Sequence, residues 1–226
     1  MNQDKYVFAQ LISFLNRTQF NNYVRKYDGN NYVKHFTCWN QLLAMMFGQL
    51  SNQESLRDLI VAFEVHRSKQ YHLGLGREPI AKTTLASANQ NRDCRIFEDF
   101  TFYMMKEAYE KRTTNILNIS GKKYAFDPTT IPLCLSTFPW ANFRSKKGGV
   151  KAHVLYDIDA QVPSFYTVTT ASKHDATMMS SISFEPNAYY IFDRAYDSFK
   201  ELYRIHLMSS FYVVRAKTNL KYRMVK

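Results

Sequence analysis

The sequence predicts an α+β protein, with a helical first half and a second half in which strands and helices build one sheet. Three observations predict it. Of the 226 residues 46% are apolar and 22% charged, with only 7 Gly and 6 Pro, so the chain can fill a core and sustain long elements. Apolar residues recur at helical spacing up to about residue 112. From Tyr124 onward they gather instead into β-branched and aromatic runs bounded by turn residues.

In the first half, Phe8, Leu11, Ile12 and Leu15 hold the i, i+3, i+4, i+7 spacing of one buried helix face, and Trp39, Leu42, Leu43, Met46, Phe47 and Leu50 repeat it. Ser51-Asn52-Gln53-Glu54 reads as a capping box that starts the next helix, whose apolar face is Leu56, Leu59, Ile60 and Phe63. The two make an αα-hairpin, a unit that serves either as packing or as a DNA-reading helix-turn-helix. YHLGLGREPI at 71–80 is a loop. A helix then opens in TTLASANQNRDCRIFEDF and runs to about Arg112, with Ile96, Phe97, Phe100, Tyr103 and Met104 on its apolar face. Its first part carries Lys82, Thr83, Thr84, Asn89, Gln90, Arg92 and Arg95, which can donate to phosphates and base edges. A solvated helix start has the same composition. Residues 113–123 are the expected linker, so the chain is read as domains 1–115 and 116–226.

In the second half, 124–135, 150–157 and 162–170 read as three consecutive strands. Asp175 suits the N-cap of a short helix at 176–182. A strand at 188–192, a helix at 199–208 and a strand at 211–215 complete the order β-β-β-α-β-α-β. That is the order of the ribonuclease-H-like fold, which finishes with a further helix. The domain is therefore expected to be C-terminally incomplete at Lys226.

Thirty basic residues against 19 acidic give a net charge of +11. Residues 121–226 carry +7 of it, and such a balance favours polyanionic partners, nucleic acid first and an anionic membrane surface second. Cys38, Cys94 and Cys134 lie far apart with no C-x-x-C pair, which argues against a disulfide framework or a zinc knuckle and for a reducing cytosol. The opening MNQDKYVFAQLISFLNR lacks a continuous apolar segment, so no signal peptide is expected. The longest apolar run, 42–47, is far short of the ~20 residues of a membrane span. Neither H-E-x-x-H nor G-x-x-x-x-G-K-[ST] occurs, which removes support for a zinc hydrolase and for ATP-driven chemistry.

Two aspartates stand out. Asp127 lies inside the first β run, YAFDPTTIPLC, where Asp is disfavoured, and Asp193 lies where the fourth strand gives way to a turn, in YYIFDRAYDS. If the first and fourth strands are neighbours, both carboxylates converge at one end of the sheet, where a pair can hold Mg²⁺. Two such ions roughly 3.5–4 Å apart suit in-line displacement at a phosphodiester. The competing reading has Asp127 begin a turn before Pro128 and Asp193 cap a helix.

The chain resembles bacterial insertion-sequence transposases of the DDE type, in particular the family whose third carboxylate lies in a Y-x2-R-x3-E-x6-K signature. The resemblance rests on FTCWNQLLAMMFGQLSNQESLRDL, YHLGLG, TLASANQNRDCRIFEDF, FDPTTIPLCL, KGGVKAHVLYD, the pair His174-Asp175, FDRAYDS and FYVVRAKTN, in that order. It implies that Asp127 and Asp193 are the first two catalytic carboxylates and ligands of Mg²⁺, for which Mn²⁺ can substitute. It also implies a ribonuclease-H-like catalytic domain behind a helical region that helps bind double-stranded DNA at the element's terminal inverted repeats. The protein is expected to act as a homodimer in a synaptic complex, in the bacterial cytoplasm at the nucleoid. Arg194 and Tyr196 complete the motif of the second aspartate. They join Lys82, Arg92, Arg95, Lys147, Lys151 and His153 as residues expected on the DNA; for Lys147, Lys151 and His153 a solvated strand face reads the same.

The departure is the third carboxylate. No Y-x2-R-x3-E pattern occurs in the 226 residues: Tyr109 and Arg112 have the first spacing, but Ile116 stands where Glu is required. The fragment alone is therefore expected to cleave poorly or not at all. The alternative function is a catalytically inactive DNA-binding protein that regulates transposition, with a metal-dependent nuclease of the same fold a weaker third.

Overall fold

The computed structural model describes residues 6–76, 78–112, 119–133, 139–144 and 147–216. The chain divides into two compact units, Met1–Met104 and Met105–Lys226.

The first unit is helical. Helices α1 (Val7–Ile12), α2 (Arg17–Lys26), α3 (Cys38–Leu50) and α4 (Leu56–Val65) are followed by a 3-10 helix (Arg67–Leu73), then by α5 (Lys82–Asn91) and α6 (Arg95–Glu110), which runs on into the second unit. Phe20, Leu43, Ala44, Leu59, Phe63, Leu85 and Ile96 form the centre of its core. Phe20 meets Trp39 and Phe100 edge-on, at ring separations of 5.4 and 5.0 Å. Gly48 lets α3 approach α4, because a Cβ there would stand 3.1 Å from Leu59.

Three local expectations are corrected. Helix α4 is capped by Ser55, whose hydroxyl accepts from the Asp58 N–H at 3.1 Å, whereas Ser51 closes α3 and donates to the Phe47 carbonyl. The long helix expected from residue 83 is two helices. Between them the Arg92 guanidinium reaches back to the Phe36 carbonyl and to Gln41, holding Arg92 extended, and the Asp93 carboxylate accepts from the Arg95 N–H at 2.9 Å to start α6. Asp175 is the first residue of its helix, not the cap; His174 holds the cap position. Ser55→Ala is expected to cost about 1 kcal/mol in urea denaturation, clearly more than Ser51→Ala, because only Ser55 satisfies an N-terminal N–H of α4.

Among the described residues the second unit is built on a six-stranded mixed sheet. Strands β1 (Lys123–Leu133), β2 (Asn142–Arg144), β3 (Lys147–Asp157) and β4 (Val162–Thr170) come first, then α7 (Asp175–Met178), β5 (Tyr189–Phe192), α8 (Phe199–Leu207) and β6 (Phe211–Val214). β3 is antiparallel to β1, β2 and β4, while β5 lies parallel to both β1 and β6. Alternation along β1 and β5 sends Tyr124, Phe126, Tyr190 and Phe192 to one face. There they form a core with Leu155, Met178, Met179, Tyr196, Leu202 and Ile205. At the base of β1 the buried Lys123 ammonium pairs with Asp159 at 2.8 Å. Cys38 and Cys94 are free thiols; Cys134 and most of the expected linker lie outside the described residues. Among the described residues no helix is long and apolar enough to cross a membrane.

Candidate active site

The site begins with strand register. β1 and β5 run side by side in the same direction, and their last matched pair is Phe126 with Phe192. Asp127 and Asp193 are the next residue on each strand. Neighbouring strands lie about 4.8 Å apart, so the register brings these two positions together where the parallel pairing stops, in the middle of β1 and just past the end of β5. Asp127 sits within the continuous strand β1, opposite Val154 of β3, and begins no turn. Asp193 occupies the cap position of a short 3-10 turn, Arg194–Tyr196, but its side chain makes no capping bond.

The electrostatics agree with this placement. Burial, then the charges of Asp193 and Asp175, push the Asp127 carboxyl above its ordinary value of 3.8. Burial, then Asp175, Asp127 and Asp193, push the Tyr196 phenol up. Three carboxylates therefore act on one buried hydroxyl. Asp175 is itself paired with Lys151 at 2.8 Å, and Lys151 also donates to the Lys173 carbonyl.

The residues expected on the DNA fall into distinct settings. Lys82 and Arg194 are exposed. Arg92 is half-buried against Phe36 and Gln41, and Arg95 forms an exposed pair with Asp93 at 2.5 Å. Lys147 opens β3, with its side chain outside the described residues. His153 and Tyr196 are fully buried and bonded to each other. The sequence reading did not single out Asp175 as a site neighbour or His153 as interior. The alternation in VKAHVLYD carries the second signal, since it puts His153 on the same face as Leu155.

Among the described residues no group of three His, Cys, Asp or Glu is arranged to hold a metal ion. Two adjacent carboxylates nevertheless fit Mg²⁺, which is commonly held by one or two carboxylates together with waters and substrate phosphate oxygens. A cation there would also offset the Asp193 and Asp175 charges that, after burial, raise the Asp127 carboxyl.

A mixed sheet that brings two aspartates together where two parallel strands stop pairing can hold a divalent cation against a phosphate. Residues 120–225 match the family described as transposase DDE domain, and residues 3–76 match a domain of unknown function (DUF4372). The chain is 29% identical over 164 residues to a putative transposase, y4zB, of Sinorhizobium fredii (strain NBRC 101917 / NGR234), covering 72% of this chain and 43% of that protein. It is 29% identical over 118 residues to the probable transposase for insertion sequence element IS5377 of Geobacillus stearothermophilus, covering 51% of this chain and 30% of that one. The chain thus spans less than half the length of these relatives. By these matches its second half is similar to the DDE transposases of bacterial insertion sequences.

Proposed function

We propose that this chain carries DNA binding and the first two catalytic carboxylates of a transposase, Asp127 and Asp193, in a ribonuclease-H-like domain at about 116–226 behind a helical, DNA-end-binding domain at about 1–115. The observation that supports the reading is the register of β1 on β5, whose last matched pair, Phe126 with Phe192, stands one residue before each aspartate. The strand order supports the fold: three antiparallel strands, β4, β3 and β1, continue into the parallel pair β5 and β6.

Asp127 and Asp193 would hold Mg²⁺. Bound there, Mg²⁺ supplies Lewis-acid polarisation of a phosphodiester and a more acidic attacking water. The chain's own groups set up the rest. Arg194, exposed beside Asp193, is available to a phosphate oxygen, and Lys82 adds positive charge on the helical unit. Lys151 is committed to Asp175 and orders that carboxylate rather than the DNA. The whole reaction is phosphodiester hydrolysis at the element ends followed by strand transfer from the freed 3′-hydroxyl, in a dimer on double-stranded DNA. A purely DNA-binding, regulatory product is the second reading.

The test is an Asp193→Asn variant of the protein in its full encoded length, assayed on duplex DNA carrying the element ends. The expected result is loss of Mg²⁺-dependent cleavage with DNA affinity unchanged and steeply salt-dependent in both proteins. Cleavage that survives the substitution overturns the assignment. Binding without cleavage in the unsubstituted protein selects the regulatory reading.

A further inference from the structure

Outside the carboxylates, the second unit contains a buried polar chain that the reading above leaves without a role. His153 and Tyr196 are both fully buried, 43 positions apart in sequence. The His153 Nδ1 lies 3.3 Å from the Tyr196 hydroxyl, and Nε2 lies 3.0 Å from Thr169 Oγ1 on β4. Phe126 covers both rings, at 4.9 Å from Tyr196 and 6.1 Å, stacked, from His153. Burial lowers the His153 pKa, which favours the neutral imidazole. A neutral imidazole has one donor and one acceptor nitrogen, and here each faces one hydroxyl.

The location of this chain gives it a task. The ladder of β5 on β1 ends at Phe192, so Asp193 already stands beyond the paired sheet. The turn that follows is closed by the Tyr196 N–H donating to the Asp193 carbonyl at 3.0 Å and by the Asp197 N–H donating to the Arg194 carbonyl at 3.2 Å. Its inward end is Tyr196, bonded to His153 of β3. The same strand holds Asp127, since β3 pairs Val154 with Asp127 and His153 with Pro128. One strand thus fixes one aspartate through the ladder and reaches the other through a side chain.

We infer that His153 and Tyr196 are positioning residues: their buried hydrogen bond ties the 193–196 turn to β3 and sets Asp193 at a fixed distance from Asp127. The inference rests on the reading of these aspartates as a metal pair. It replaces the expectation that His153 and Tyr196 touch DNA, for which neither has a free surface. Groups that orient ligands from behind are commonly worth about 10–100-fold in metal affinity.

The experiment uses the 226-residue chain and its Tyr196→Phe variant, which keeps the ring and removes only the hydroxyl. Three quantities are read: thermal unfolding, amide hydrogen exchange over 193–197, and Mn²⁺ affinity by calorimetry with Asp127→Asn as the site control. The expected result is faster exchange in the turn and Mn²⁺ binding weakened about 10-fold, with a lowered Tm but still cooperative unfolding, because the His153 Nδ1 loses its buried partner. His153→Gln, which can still bond to the phenol, should retain more Mn²⁺ affinity than His153→Leu; this pair also decides the question if Tyr196→Phe fails to fold. Unchanged turn exchange together with unchanged Mn²⁺ affinity overturns the inference. If the unsubstituted chain shows no Mn²⁺ binding that depends on Asp127, the metal-pair reading fails, and exchange in the turn alone decides whether the tether exists.

Discussion

Replacing Asp127 by Asn is expected to reduce Mg²⁺-dependent cleavage by the full-length protein by about 10³-fold or more, since the several kcal/mol that a bound metal contributes to the transition state would be lost. DNA affinity should stay near that of the unsubstituted protein, because Asp127 adds negative charge and no phosphate contact. The same substitution should leave the metal-free chain slightly more stable at neutral pH. Burial and the Asp193 and Asp175 charges hold the Asp127 carboxyl above its ordinary 3.8. A raised carboxyl contributes stability below its unfolded value and loses it as pH rises through the folded value, so at pH 7 the ionised group opposes folding. Asn removes that charge at nearly constant shape. Unfolding followed from pH 4 to 7 in a chelating buffer should show the two proteins diverging as pH rises, with the variant the more stable. A variant that is inactive but clearly less stable would indicate a structural role for Asp127 and sink the catalytic assignment.

Phe126→Ala should produce the largest loss of stability in the second unit, about 3–5 kcal/mol. Phe126 is 1% exposed and packs against Phe192, Tyr196 and His153. Truncation leaves a cavity bounded by rings that cannot collapse inward, because β1 is pinned on both sides, by β3 and β5. Urea denaturation should show it. Ile131→Ala, on the same strand but 46% exposed, should stay within about 0.5 kcal/mol of the unsubstituted chain. A Phe126→Ala loss below about 1 kcal/mol would mean that this aromatic cluster does not organise the unit.

Strand positions were legible because alternation is a strong local signal. The predicted strand at 162–170 coincides with β4, and those at 188–192 and 211–215 differ from β5 and β6 by a single residue at one end. Helix boundaries were less legible where side chains compete for the backbone. The break before α6 depends on Arg92 reaching Phe36, a partner 56 residues away that no local pattern announces. The cap of α4 was misplaced for a related reason: both Ser51 and Ser55 are good cap residues, and only the fold decides which one meets an unsatisfied N–H. His153, Lys151 and Tyr196 were read as outward-facing because polar and basic side chains are mostly exposed. Burial became acceptable for His153 and Tyr196 only because each found the other, and Lys151 found Asp175.

By itself the sequence determined the division into a helical and a sheet-forming half, the order of five of the strands, and the two aspartates worth testing; the short strand β2 (Asn142–Arg144) was not foreseen. Each of these follows from residue type and spacing along the chain. Which strands are neighbours is decided by long-range pairing, and that belongs to the tertiary structure. β1 and β5 are separated by more than fifty residues, and it is their parallel register that turns two isolated aspartates into a pair. The tertiary structure also reassigned His153 and Tyr196 from the surface to the interior. A hydrogen bond between buried groups has no signature in either local sequence, only in the space the fold closes around them.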